Sequence, residues 1–202
     1  MLRLAVLGSG KGSNFQAILD AIDSGRLTAQ VVCVISDVAD AFILERARRR
    51  GIPAHFVDCS PFKTKLDGEG ERKVLSILDD YGADTIALAG FMRIIKAGLL
   101  NRYPMRILNI HPSLLPAFPG LQAWKQALEY GVKITGCTVH FVDSGMDTGP
   151  IILQRSVPVL ENDTPEALHA RIQREEHIAY PEALQLLSQN RLRIEGRRVR
   201  IL

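Results

Sequence analysis

The segment LRLAVLGSGKGSNFQAILDAIDS, residues 2–24, decides the fold class, because it changes character twice. Leu2–Leu7 is a short, nearly continuous apolar run, as expected of a strand buried on both faces. Gly8, Gly10 and Gly12 then turn the chain. From Ser13 to Ser24 the apolar residues Phe15, Ala17, Ile18, Ala21 and Ile22 recur on one side of a helix. A strand passing through a glycine turn directly into a helix opens a βα unit. The turn also has chemical potential. Glycines let a backbone approach an anion, and free N–H groups at a helix start point toward it. Ser13 or Asn14 can add side-chain hydrogen bonds, and Lys11 can add charge. The segment is neither a Walker A sequence nor a full GxGxxG fingerprint. An ordinary strand-to-helix turn capped by Ser13 is the alternative reading.

The same rhythm continues outward. Val31–Ile35 is a second apolar run, followed by a helix from about Ala39 to Arg50. Ala54–Val57, Thr85–Ala89 and Ile107–Ile110 supply further short strands, with a helix between about Lys73 and Tyr81. Continuous apolar strands separated by helices predict an α/β fold, with a mostly parallel sheet covered by helices on both faces. After Gly120 the pattern changes. A helix (Leu121–Tyr130) precedes two longer strands, Gly136–Val142 and Pro150–Pro158. A long helix opened by Thr164 then runs to about Gln189, and Leu192–Ile201 reads as a terminal hairpin. Phe62–Arg72, with Lys63, Lys65, Asp67 and two glycines, is the expected mobile loop.

At 202 residues the chain suits one domain. Its net charge of +3 stems largely from Arg46–Arg50 and from Arg197, Arg198 and Arg200. The first cluster suits the solvated end of a helix better than a nucleic-acid surface. Cys33, Cys59 and Cys137 are odd in number and far apart, so neither a disulfide framework nor a cysteine zinc site is expected. No signal-peptide pattern precedes the first strand, and no apolar run is long enough for a bilayer. A cytoplasmic protein without membrane partners is the expectation.

Two later stretches carry residues suited to catalysis. In Asn109-Ile-His111-Pro112, Asn109 and His111 are two apart on a strand and project to one side. They do so at a strand end, where open α/β sheets place ligands. An amide donor beside an imidazole can stabilise an oxyanion, although a core Asn and a satisfied His would have the same spacing. In Asp143-Ser-Gly-Met-Asp147-Thr-Gly149, a carboxylate in a glycine-punctuated turn can reach the His111 ring and favour its charged form. A turn aspartate bonding its own backbone is the alternative. His140 near these acids suggests a metal only weakly, since no zinc spacing is present, and no metal is expected. No GxSxG elbow occurs, which favours a route without a covalent enzyme intermediate.

With these residues in view, the chain resembles the glycinamide ribonucleotide formyltransferases. The resemblance rests on GSGKGSNFQAI, ADAFILERAR, LAGFMRII, ILNIHPSLLPAFPG, GCTVHFVDSGMDTGPIILQ and REEHIAYPEAL, in that order. It implies the formyltransferase fold, a Rossmann-like sheet with antiparallel strands near the C-terminus. One domain over 1–202 would have a phosphate-binding half at about 1–100 and a folate and catalytic half at about 101–202. It implies two small-molecule substrates, with 10-formyltetrahydrofolate as co-substrate and the ribonucleotide amine as acceptor, in purine synthesis. Asn109, His111 and Asp147 would be catalytic. Gly12, Ser13, Asn14, Gln173 and Glu176 would hold the ribonucleotide. Phe91, Met92, Arg93, Ile94 and Ile95, together with Asn109 and the loop Asp143, Ser144, Gly145, Met146 and Asp147, would line the folate. Lys65 would meet its glutamate tail. Nucleic acid is not an expected partner, and both monomer and homodimer stay open.

Three other readings share parts of this pattern. Methionyl-tRNA formyltransferases have the same Asn-x-His core but usually add a C-terminal tRNA domain, for which the chain leaves no room. Formyltetrahydrofolate hydrolases usually add an N-terminal regulatory domain, whereas the first strand here starts at Leu2. A non-catalytic folate- or nucleotide-binding module would need the glycine loop but not Asn109, His111 and Asp147 together.

Overall fold

Leu2–Leu7 is strand β1, buried at every position except Arg3. In the computed structural model, which describes residues 1–202, β2 (Ala29–Ser36) and β4 (Thr85–Leu88) flank it, both parallel to it. β3 (Ala54–Phe56) extends the sheet beyond β2, and β5 (Ile107–His111) extends it beyond β4. β6 (Ile134–Phe141) and β7 (Ile151–Pro158) continue antiparallel. The hairpin β8 (Leu192–Glu195) and β9 (Arg198–Ile201) closes the far edge, giving the order β3-β2-β1-β4-β5-β6-β7-β9-β8. The expected parallel sheet with antiparallel C-terminal strands is therefore present.

Helices cover both faces. α1 (Ser13–Asp23), α2 (Phe42–Arg49), α5 (Ala123–Tyr130) and α6 (Pro165–Ser188) pack on one side with the larger apolar cluster, which includes Phe15, Ile18, Ile43 and Tyr180. α3 (Gly68–Asp80) and α4 (Ala97–Arg102) cover the other, around Val74, Leu78 and Leu99. Tyr180, fully buried in α6, donates its hydroxyl toward the Leu88 and Leu108 carbonyls at 3.0 and 2.9 Å. That contact seats the long helix against β4 and β5. No helix is long and apolar enough to cross a membrane.

Strand order reverses between β1 and β4, so the connections leaving these neighbours diverge and open a crevice at their C-terminal ends. Gly12 rather than Ser13 caps α1, with φ +70 and no side-chain cap. A Cβ at this position would lie 2.8 Å from Ile43, so glycine brings the heads of α1 and α2 together. The amides of the first turn of α1 are left without a capping side chain, facing the crevice.

Several boundaries differ from expectation. α3 starts at Gly68 instead of Lys73, because Asp67 caps it by accepting from Gly68 N at 2.8 Å. The second half of the expected mobile loop is therefore helix. Its first half is anchored, since Arg93 donates to the Phe62 carbonyl and Lys65 bridges to Ile94. α2 begins at Phe42 and α5 at Ala123, both later than their apolar patterns suggest. The six-residue α4 is too short to show a helical period in the sequence.

Candidate active site

The crevice is a cavity of about 540 Å³ at the ends of β1, β4 and β5. The head of α1 contributes Lys11, Gly12, Ser13 and Asn14, and the segment after β4 contributes Phe91 to Ile95. Asn109 and His111 project from β5, Asp143, Gly145, Met146 and Asp147 come from the β6–β7 loop, and Gln173 and Glu176 come from α6. Residues far apart in the chain thus line one space. Two expected residues do not. Ser144 lies outside the lining. Lys65 lies outside as well, with its ammonium paired to Asp67 at 2.5 Å and placed over the Phe62 ring.

At the centre, His111 is 4% exposed. Its Nε2 lies 2.8 Å from the Phe118 carbonyl, which can only accept, so Nε2 carries a hydrogen. Nδ1 consequently faces Asp147 Oδ2, 3.4 Å away. A proton on Nδ1 turns a lone pair facing a carboxylate into a donor facing it. Asp147 is held in turn by the Gly120 amide, which donates to Oδ2 at 2.8 Å. Its φ of +56 is a left-handed conformation, costly for a residue with a Cβ and frequent where a site must aim a side chain.

His140 completes the cluster. Its Nδ1 lies 2.8 Å from the Phe141 carbonyl and so carries the hydrogen. Nε2 then accepts from Asn109 Nδ2 at 3.2 Å. Burial pushes the His140 pKa below the ordinary value, outweighing the Phe141 carbonyl and Asp147, which raise it. A neutral His140 suits that acceptor role. One Asn109 N–H is engaged, and the second remains for a ligand in the cavity. Elsewhere in the loop, Asp143 accepts from Gly145 N and from Thr148 Oγ1. Asp143 is thus the self-bonding turn aspartate, and Asp147 is the one that reaches the imidazole.

On the α1 side, Asn14 Nδ2 donates to Glu176 Oε2 at 2.9 Å. Glu176 is 4% exposed, and burial raises its pKa more than the Asn14 bond lowers it. A carboxylate so poorly solvated gains from hydroxyl or ammonium donors supplied by a ligand. Further along α6, His169 stacks on Trp124 with ring centroids 3.7 Å apart and planes 4° from parallel. Both line the cavity, and neither was expected there. His169, Gln173 and Glu176 share one helical stripe, a spacing that could have revealed His169, but its partner on α5 is visible only in three dimensions.

Comparison with known proteins gives the family. Residues 2–184 match the family described as formyl transferase. A relative from Escherichia coli (strain K12), phosphoribosylglycinamide formyltransferase, is 43% identical over 193 residues, covering 96% of this chain and 90% of its own. The protein of that name from Bacillus subtilis (strain 168) is 42% identical over 191 residues, covering 94% and 97%. The crystal structure of glycinamide ribonucleotide transformylase 1 from Symbiobacterium toebii superposes with a TM-score of 0.95 at 56% identity, covering 100% of this chain and 94% of that one. With nearly its whole length matched in sequence and in structure, the chain belongs to the formyl transferase family.

Proposed function

We propose that the chain transfers the formyl group of 10-formyltetrahydrofolate to the amine of N1-(5-phospho-D-ribosyl)glycinamide, a step in purine biosynthesis. The observation that carries this reading is the convergence of Asn109, His111 and Asp147 beside a helix head free to take a phosphate. The phosphate meets the amides of Gly12, Ser13 and Asn14, where partial positive charge collects. Gln173 adds a side-chain amide, and Glu176 accepts from the ribose or glycyl donors.

The folate lies along Phe91–Ile95 and against the Asp143–Asp147 loop. Ile94 gives its N–H to the Thr64 carbonyl and accepts from Leu66 N, so its main chain is already engaged. The neighbouring Arg93 and Ile95 make no main-chain hydrogen bond within the fold. Arg93 and Ile95 are therefore the residues whose main chain reads the pterin edge. Phe91 and Met92 supply apolar contact.

In the reaction the amine nitrogen bonds to the formyl carbon, and the carbonyl electrons move onto oxygen. The free N–H of Asn109 donates to that oxyanion, and the positive charge of the His111 ring beside it stabilises it electrostatically. Asp147 keeps His111 charged and relays a proton from the attacking nitrogen to N10 of the folate, through water. The oxyanion then collapses, the C–N10 bond breaks, and formylated product and tetrahydrofolate leave. No side chain bonds covalently to the formyl group, so binding both substrates side by side supplies the proximity.

The test follows loss of the formyl group spectroscopically in three reactions, with glycinamide ribonucleotide, with no acceptor, and with charged initiator tRNA. Turnover that depends on the ribonucleotide is expected. Turnover without an acceptor identifies a hydrolase instead, and turnover only with tRNA identifies a tRNA formyltransferase. Folate binding without any turnover favours a non-catalytic module.

A further inference from the structure

One buried carboxylate outside the cavity is bonded to the two segments that carry its walls. Asp37, just after β2, has 3% of its side chain exposed and Arg93 has 16%. Asp37 Oδ1 accepts from Ser9 Oγ at 2.5 Å, and Oδ2 accepts from Arg93 Nε at 2.6 Å. Ser9 lies in the loop that presents Gly12, Ser13 and Asn14. Arg93 lies in the segment proposed to hold the folate, and its guanidinium also donates to the Phe62 carbonyl at 2.5 Å. The two walls meet a second time at Ser9, whose hydroxyl accepts from Met92 N at 2.9 Å and whose amide donates to Gly90 O at 3.0 Å. Neither Ser9 nor Asp37 lines the cavity.

Proton counting gives this chain a direction. A hydroxyl has one hydrogen, and Ser9 gives it to Asp37, so the oxygen lone pairs are available to Met92 N–H. Successive bonds of this kind polarise one another, and the carboxylate orders both partners. Stability alone does not call for such an arrangement, since a well-packed apolar pair often stabilises a fold as much as a buried ion pair.

We infer that Asp37 is a positioning residue that couples the two substrate sites. A ligand that orders the α1 head fixes Ser9, and with it the main chain at Met92 and the Arg93 side chain. The second ligand then meets a wall already ordered and binds more tightly. By thermodynamic reciprocity, each substrate raises the affinity for the other by the same factor. This inference rests on the two-substrate reading above.

Trp124 is the only tryptophan of the chain and lines the cavity, so its fluorescence reports occupancy directly. The experiment titrates the protein with a deaza-folate lacking the formyl group, which cannot react, with and without saturating glycinamide ribonucleotide. The ribonucleotide is expected to lower the folate Kd of the native protein by about 5-fold or more, the usual floor for coupled sites. Ser9→Ala and Asp37→Asn are each expected to bring that ratio close to unity. Thermal melts run alongside. Asp37→Asn leaves the Arg93 charge without its counter-ion, so if that variant does not fold, Ser9→Ala, which removes only a hydroxyl, decides. A variant with a lowered Tm but an unchanged coupling ratio overturns the inference, as does a ratio of one in the native protein. Failure of the native protein to bind either ligand overturns the two-substrate reading itself.

Discussion

Asn109 and His140 are register partners across β5 and β6, and Asn109 Nδ2 donates to His140 Nε2 at 3.2 Å. The imidazole is 2% exposed and fixed at its other nitrogen by the Phe141 carbonyl. A neutral ring thus orients the amide proposed to stabilise the oxyanion. His140→Leu removes the acceptor while leaving Asn109 in place. The expected result is a fall in kcat on the order of 10-fold to 100-fold, below the loss from deleting a donor outright. Folate KM is expected to change little. An unchanged kcat would show that Asn109 keeps its orientation without this partner.

Glu176 sets binding against stability. Its pKa is raised from 4.5, chiefly by burial. Below pH 4.5 the residue is protonated in both folded and unfolded chains and costs nothing. As the pH rises toward the folded pKa, the unfolded chain releases its proton first and the fold loses stability. Glu176→Gln keeps an acceptor for Asn14 and carries no charge. Its Tm is expected to exceed the native value by a few degrees at pH 8 and to converge with it near pH 4, while ribonucleotide KM rises at least about 10-fold. A Tm difference that does not grow with pH would contradict this assignment.

The three thiols should be silent. Burial pushes Cys33 and Cys137 up to about 12 and raises Cys59 as well. Thiolate is the reactive species, so iodoacetamide at pH 8 is expected to leave native activity intact. Mass spectrometry should find no label on the folded chain and three after unfolding, one per cysteine. Rapid labelling with loss of turnover would place a reactive thiol at the site.

Tyr180 tests the scaffold apart from the chemistry. Tyr180→Phe removes a hydroxyl directed at the Leu88 and Leu108 carbonyls. A loss of about 1 kcal/mol in urea unfolding is expected, with kcat within about 2-fold of native, because no reacting group is touched. A large fall in kcat at unchanged stability would mean that the seat of α6 on β4 and β5 governs catalysis.

Local pattern made much of this legible from the chain alone. The βα opening at Leu2–Ser24 follows from strand and helix periods, and the shared direction of Asn109 and His111 follows from strand alternation. That a carboxylate of the 143–149 turn can face His111 follows from its glycines, since a Cβ at Gly149 would lie 1.8 Å from the Phe141 carbonyl, but only the family resemblance singles out Asp147 over Asp143. What escaped depends on distant partners. Lys65 reads as a free cation until the bridge to Ile94 is seen to fix its segment, with the ammonium on nearby Asp67. The role of His140 depends on the register of β6 against β5, and the Trp124–His169 stack depends on how α5 meets α6. At the start of α3 two nearby glycines suggest a loop, whereas the Asp67 cap makes it a helix head.

The most direct test of the proposed chemistry is the kcat of Asp147→Asn with both substrates saturating. The substitution keeps the size of the side chain, and its amide oxygen can still accept from the Gly120 amide. It removes the charge that faces His111 Nδ1 at 3.4 Å. Loss of about 100-fold or more in kcat, with both KM values within about 3-fold of native, is the expected result. A kcat within about 2-fold of native would contradict the coupling of Asp147 to His111 on which the proposed transfer depends.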